Sequence, residues 1–427
     1  MLHRGIAKLS LGALSVICCF VAAATGSTAS LIYAFPGGDS GRNPEGQLIA
    51  DRAGNLYGTT EFGGIADNGT VFELSPPTVK GGKWTETVLY RFTGGSDGLA
   101  PNAGLVFDSS GNLYGTTFDG GNCHYDCGVI FQLSPPKEHG GAWSETVLHA
   151  FGGPNSRDGG APTSSLVIDK AGNLYGTAEF GGSVTCTNFP GPCGVVFQLS
   201  PPALPGDPWT ETVIHSFQGI PDGAFPFGPL NFDQQGNLYG TTTEGGTGSC
   251  TDGEGLIIGC GVTFEVSPEA GGAWSETALY NFGPSESSPN GGLVFGPAGT
   301  LYGTADYDVF RLIPPHAPGD PWTGQVLYQF TEGISGTITS SSLSFDPRGN
   351  LYGTTSASGL SGYGTVYELS PPRTGGKWIE TTLHTFPGDF DTEQPRGKLL
   401  RSPSGALYGA TSTNLNGSNG AVFKIIP

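Results

Sequence analysis

The sequence predicts an all-β chain folded as a seven-bladed β-propeller, each blade a four-stranded antiparallel sheet. Three observations predict it. Leu-Tyr-Gly recurs seven times, beginning at residues 56, 113, 174, 238, 301, 351 and 407, at intervals of 57, 61, 64, 63, 50 and 56. Between copies lie four short runs rich in β-branched and aromatic residues, bounded by Gly, Pro, Asp and Asn. All six tryptophans fall at one repeat position: Trp84, Trp143, Trp209, Trp274, Trp322 and Trp378. Solenoid repeats are mostly shorter or helical, whereas radially repeated four-stranded units describe a propeller, and a closed ring counts as one domain.

The first residues differ in kind. His3, Arg4 and Lys8 precede an apolar run from Leu9 to Ala24, and small residues follow at 22–24 and 27–29. Residues 1–29 therefore read as a secretory signal. The alternative, an uncleaved anchor, meets a run shorter than the ~20 apolar residues of a spanning helix. The remaining chain, from 31 to 427, reads as the propeller, with no later stretch apolar enough to span a membrane.

Leu31-Ile32-Tyr33-Ala34-Phe35 is a strand without a repeat of its own. It matches Val88–Phe92, Val147–Phe151, Val213–Phe217, Ala278–Phe282, Val326–Phe330 and Thr382–Phe386, each the fourth strand of its repeat. The first full copy runs Gly46 to Asp51, Leu56 to Thr60, Thr70 to Leu74, then Trp84 onward to Phe92. Asp51-Arg52-Ala53-Gly54-Asn55 joins its first two strands. Asp accepts backbone bonds across a turn, and Gly takes the positive φ that closes it. The same pattern starts at Asp108, Asp169, Asp233 and Asp346, while Gly296 and Ser402 replace the Asp in the fifth and seventh copies. Ser-Pro-Pro ends the third strand at Ser75, Ser134, Ser200 and Ser370, because Pro cannot donate to a ladder. The last copy has three strands and ends at Pro427, so the orphan strand is expected to supply the fourth and close the ring. Another phase, with the orphan strand opening its own blade, stays open at this point.

Gly-Asn-Leu-Tyr-Gly-Thr-Thr, Gly-Thr-Val-Phe-Glu-Leu-Ser-Pro and Trp-x-Glu-Thr-Val-Leu-Tyr-x-Phe together resemble the GloVer (Gloeo/Verruco) tandem repeat of secreted bacterial proteins. The resemblance covers residues 31 to 427. It implies a secreted repeat protein and carries no activity or catalytic residue with it.

Composition narrows the function classes. The formal net charge is −19, so phosphate backbones are repelled and nucleic acid is not an expected partner. Cys123 and Cys127, Cys186 and Cys193, and Cys250 and Cys260 lie pairwise in the loops between strands two and three of copies two to four. Local disulfides are expected in an oxidising compartment; zinc would need four converging ligands, and only His124 lies near any pair. Each strand-four-to-strand-one loop carries Asp or Glu. Asp97, Asp158, Asp222, Asp389 and Asp391 are candidates for an acidic ligand-binding rim, against the plainer reading that Asp-Gly is turn chemistry. Asp389, Asp391 and Glu393 alternate as a calcium site would, without a full ligand set. No other cofactor and no metal is expected. The tryptophans are expected to pack between units rather than stack on sugars. His149, His215 and His384, which replace a strand-four Tyr, are expected to pack there. No His-Glu-x-x-His or Walker-type loop is present. The expectation is a monomeric secreted or cell-surface module that binds or scaffolds an extracellular glycan or protein. The alternative is a carbohydrate-active hydrolase or lyase.

Overall fold

A computed structural model describes residues 26–427 apart from 124, 139, 205, 287, 318, 332–340, 358–361, 374, 388–393 and 413–418. Its strands form seven antiparallel sheets, each built on four strands, in sequence order in all but the closing blade: a seven-bladed propeller. Blade 1 comprises Ile49–Ala50, Leu56–Thr60, Thr70–Ser75 and Thr85–Arg91. Blade 4 carries a further short strand, Ala224–Pro226, beside its second. Blade 7 joins Pro395–Arg401, Leu407–Thr411 and Ala421–Ile426 to Thr28–Ala34, so the N-terminal strand closes the ring. That strand begins at Thr28, three residues ahead of Leu31. Among the described residues no helix is long and apolar enough to cross a membrane.

The repeated phrase is explained by packing. A Cβ on Gly58 would lie 2.7 Å from Phe72 and 2.9 Å from Leu48, and the other six Leu-Tyr-Gly glycines meet the equivalent leucine and third-strand ring of their own blades, Tyr367 for Gly353 and Phe elsewhere. The glycine lets the third-strand ring cross flat over the second strand. In the turn ahead of it, Asp51 Oδ1 accepts the backbone N–H of Ala53 and Asn55, at 2.8 and 2.9 Å. Asp51 Oδ2 accepts the Asn55 amide and the Tyr57 hydroxyl. Gly54 takes φ 88° there. The turn therefore fixes the tyrosine as well as the chain reversal.

Blades join through aromatic rings. The Phe ending each fourth strand meets the third-strand ring of the next blade: Phe35 with Phe72, Phe92 with Phe131, and so on to Phe386 with Phe423. The tryptophans pack between units as expected. Trp209 sits on Tyr114 of the preceding blade, Trp274 on Tyr175, and Trp84 on Tyr408 across the closure.

One expectation changes. The sequence predicts a six-residue first strand, but only two residues pair in each of blades 1 to 6. Ahead of them in blades 1, 2, 3 and 5 runs a segment of the form x-Pro-x-small-x that lies outside the paired strands, while in blade 4 its start pairs with the second strand as Ala224–Pro226. A Cβ on Gly46 would lie 2.6 Å from the Ala103 carbonyl of the next blade. The residue before the proline has positive φ in six blades (Asn43, Ala100, Ala161, Phe225, Ser288 and Gln394). Its N–H bonds the preceding blade: Ala161 to the Cys127 carbonyl at 3.1 Å, Phe225 to Cys193 at 2.8 Å, Ser288 to Cys260 at 3.1 Å.

Candidate functional site: the central channel

The inner segments surround a channel with a volume of about 500 Å³. The position after each proline supplies one layer of its wall: Glu45, Asn102, Thr163, Phe227, Asn290 and Arg396. Two residues further on, Gln47, Gly104, Ser165, Pro229, Gly292, Ser342 and Lys398 supply another. Ser165 and Ser342 are occupied by the wall itself, accepting the N–H of Gly104 at 2.9 Å and of Gly292 at 2.8 Å. Phe227 is 41% exposed, a large ring on an otherwise amide- and hydroxyl-bearing surface. Its flanking prolines, 226 and 229, hold the backbone that presents it.

Charge in the channel differs from charge on the molecule. Among the described residues its charged lining is Glu45, Arg396 and Lys398. Arg396 Nη1 lies 3.3 Å from Glu45 Oε1. Burial holds the Lys398 ammonium below the ordinary lysine range, since a low-dielectric wall disfavours its charge. Among the described residues the lining thus holds two basic groups and one acidic group, in a chain of net charge −19.

Carboxylates gather just beyond this lining, where the second strands end. Asn43 donates through its amide to both Glu45, at 3.3 Å, and Glu61. Burial, then the charge of Glu45, pushes Glu61 up to about 7. At the same repeat position in blade 3, burial and then Asp126 and Glu244 push Glu179 up to about 7. In blade 5 burial raises Asp306, which accepts from Asn290 at 3.4 Å.

The three disulfides form as the sequence predicts: Cys123–Cys127, Cys186–Cys193 and Cys250–Cys260. The second cysteine of each is the one whose carbonyl grips the next blade.

The acidic loop residues fold back into their own blades. Asp97, buried, accepts from the Thr93 N–H at 2.8 Å, the Thr93 hydroxyl at 2.6 Å and the Tyr90 hydroxyl at 3.0 Å. Asp158 faces His149 Nε2 at 3.1 Å and accepts from Ser156. Asp222 faces His215 Nε2 at 3.1 Å and accepts the Gln218 N–H at 2.9 Å. They are turn-closing groups in separate blades and are not brought together. Asp389 and Asp391 lie outside the described residues. His149, His215 and His384 pack edge-on against Phe151, Phe217 and Phe386.

The glutamate of Trp-x-Glu reaches the same joint from the next blade. Burial, then Asp97, pushes Glu145 up to about 7; burial, then Asp222, pushes Glu276 up to about 8. The Oε1 atoms of Glu86, Glu145, Glu211 and Glu276 are buried without a hydrogen-bond partner.

Sequence reading missed the channel residues. Their signal was present: the position after the inner proline changes character from blade to blade while its surroundings repeat.

No curated protein sequence matches the chain. Among solved structures, a polysaccharide lyase of family 25, an ulvan lyase, aligns at TM-score 0.53 and 10% identity over 92% of this chain and 95% of its own. The extracellular domain of a protein described as a one-component system from B. thetaiotaomicron aligns at TM-score 0.50 and 10% identity over 93% of this chain. A similar domain, described as part of a hybrid two-component system of that organism, aligns at TM-score 0.48 and 15% identity over 90% of this chain. The chain spans 39% of the length of each of these two. At such identities the likeness is one of fold. The Gloeobacter/Verrucomicrobia repeat model matches residues 18–251 and 259–427, nearly the whole chain, and the protein belongs to that repeat family.

Proposed function

We propose that the protein is an extracellular binding module that takes a short, carboxylate-bearing segment of a glycan into its central channel. The observation that carries this reading is Phe227, an exposed ring in the wall of a polar channel. An apolar sugar face stacks on such a ring, and neighbouring amides and hydroxyls satisfy its hydroxyl groups. Asn102, Thr163, Asn290 and Gln47 supply those groups here. Lys398 and Arg396 favour an acidic sugar over a neutral one. Location outside the cytoplasm is supported by three disulfides and by the apolar N-terminal run.

A glycan array holding neutral and carboxylate-bearing oligosaccharides tests the reading with wild-type protein and Phe227→Ala. Binding confined to acidic oligosaccharides, and about tenfold weaker in the variant, is expected. Absence of glycan binding by the wild type, or equal binding by the variant, overturns it.

One observation favours a second reading, a hydrolase or lyase. Glu45 and Glu61 share one amide donor, and burial with the Glu45 charge raises Glu61, as suits a general acid beside a second carboxylate. Shortened products from an array ligand, formed by the wild type and not by Glu61→Gln, would establish it.

A further inference from the structure

We infer that the joint between blades 3 and 4 is a divalent metal site formed by His215, Asp222 and Glu276, and that it takes a zinc-like ion. His215 comes from the fourth strand of blade 3, Thr210–Ser216; Asp222 from the loop that follows; Glu276 from the fourth strand of blade 4, Trp274–Asn281. One ligand atom from each lies within 4.8 Å of the other two. A tetrahedral ion holding nitrogen and oxygen at about 2.0–2.2 Å sets its ligands roughly 3.4 Å apart. His215 Nε2 and Asp222 Oδ2 are already 3.1 Å apart, so only Glu276 has to draw in.

The supporting groups fit. The Gln218 N–H holds Asp222 Oδ1 at 2.9 Å, which leaves Oδ2 turned toward the imidazole. Glu276 Oε1 is buried without a partner. Two carboxylates and a neutral imidazole balance a dication, and the ion takes the place of the proton shared between His215 and its neighbours. An imidazole ligand selects zinc and related transition metals over calcium, which prefers an all-oxygen shell.

The repeat supplies internal comparisons. Blade 1 has Tyr90 where blade 3 has His215, and its hydroxyl bonds Asp97 at 3.0 Å. A phenol there makes a hydrogen-bonded joint without an imidazole ligand. Blade 2 has His149 and Asp158 near Glu211, but among the described residues only at the joint of blades 3 and 4 do three such ligand atoms come within 4.8 Å of one another. Glu211 feels both His149 and Asp158 electrostatically without closing on them.

Zinc titrated into the chelator-stripped mature protein, against a chromophoric chelator, tests the inference. The expected result is one zinc per chain, with a zinc-dependent rise in Tm. His215→Tyr, which installs the residue blade 1 uses, should weaken binding by at least about tenfold and abolish the Tm rise. His149→Tyr should leave both unchanged. Glu276→Gln serves as a second variant where His215→Tyr fails to fold, and should show the same loss. No saturable zinc binding, or binding that survives both His215→Tyr and Glu276→Gln, means that the joint is a hydrogen-bonded staple only and overturns the inference.

Discussion

Gly176 shows how much of this protein is decided by single atoms. A methyl group there would sit 2.7 Å from Phe197 and 2.9 Å from Leu166. Gly176→Ala is expected to cost about 1–3 kcal/mol by overpacking, read from denaturant unfolding, because neither neighbour has room to retreat. That need was only half legible. The sequence shows that Leu-Tyr-Gly repeats, but the ring pressing on the glycine lies some twenty residues later, at Phe197. Asp51 was readable because its partners, Ala53, Asn55 and Tyr57, are within six residues. Asp97 was ambiguous for a subtler reason. Its turn was visible in the sequence, but whether its carboxylate faced solvent depended on Tyr90 and Thr93 reaching back to it.

At the scale of elements, the blade joint and the stapled loop each make a prediction. Glu145 is held up at about 7 when folded, against an ordinary value of 4.5. The folded form therefore binds a proton that the unfolded chain releases between those values. The stability this contributes is complete below pH 4.5 and lost as the pH rises toward 7. Glu179, on another strand end, has the same sign. Tm measured from pH 4.5 to 8 should decline less steeply in Glu145→Gln and Glu179→Gln than in the wild type. Parallel profiles would contradict this. The Cys186–Cys193 loop carries the carbonyl that holds Phe225 at 2.8 Å. Replacing both cysteines by serine should cost roughly 2 kcal/mol through the freed loop, read from denaturant unfolding. The pairing was legible because the partners are seven residues apart. The grip on the next blade was not, because it joins Cys193 to a residue 32 positions further on.

For the whole molecule, ring closure follows from counting strands, and the structure has the phase the counting favoured. Thr28–Ala34 pairs with Ala421–Ile426, and Ser27 donates to the Leu383 carbonyl at 2.9 Å. Deleting residues 26–35 should uncover the 421–426 edge, lower Tm and promote association seen by size-exclusion chromatography. An unchanged Tm would show that the closing strand adds little. The channel was not legible in this way. Which strand end faces the axis is set by seven blades meeting, and the changes from Glu45 to Asn102 to Phe227 look like ordinary loop variation until the ring is assembled. Calorimetric titration of the strongest-binding acidic oligosaccharide, into wild type, Phe227→Ala and Tyr125→Ala, compares the channel with the exposed disulfide loop directly. Binding about tenfold weaker in Phe227→Ala and unchanged in Tyr125→Ala is the expected result. Loss confined to Tyr125→Ala would place recognition on the loops and contradict the channel as the binding site.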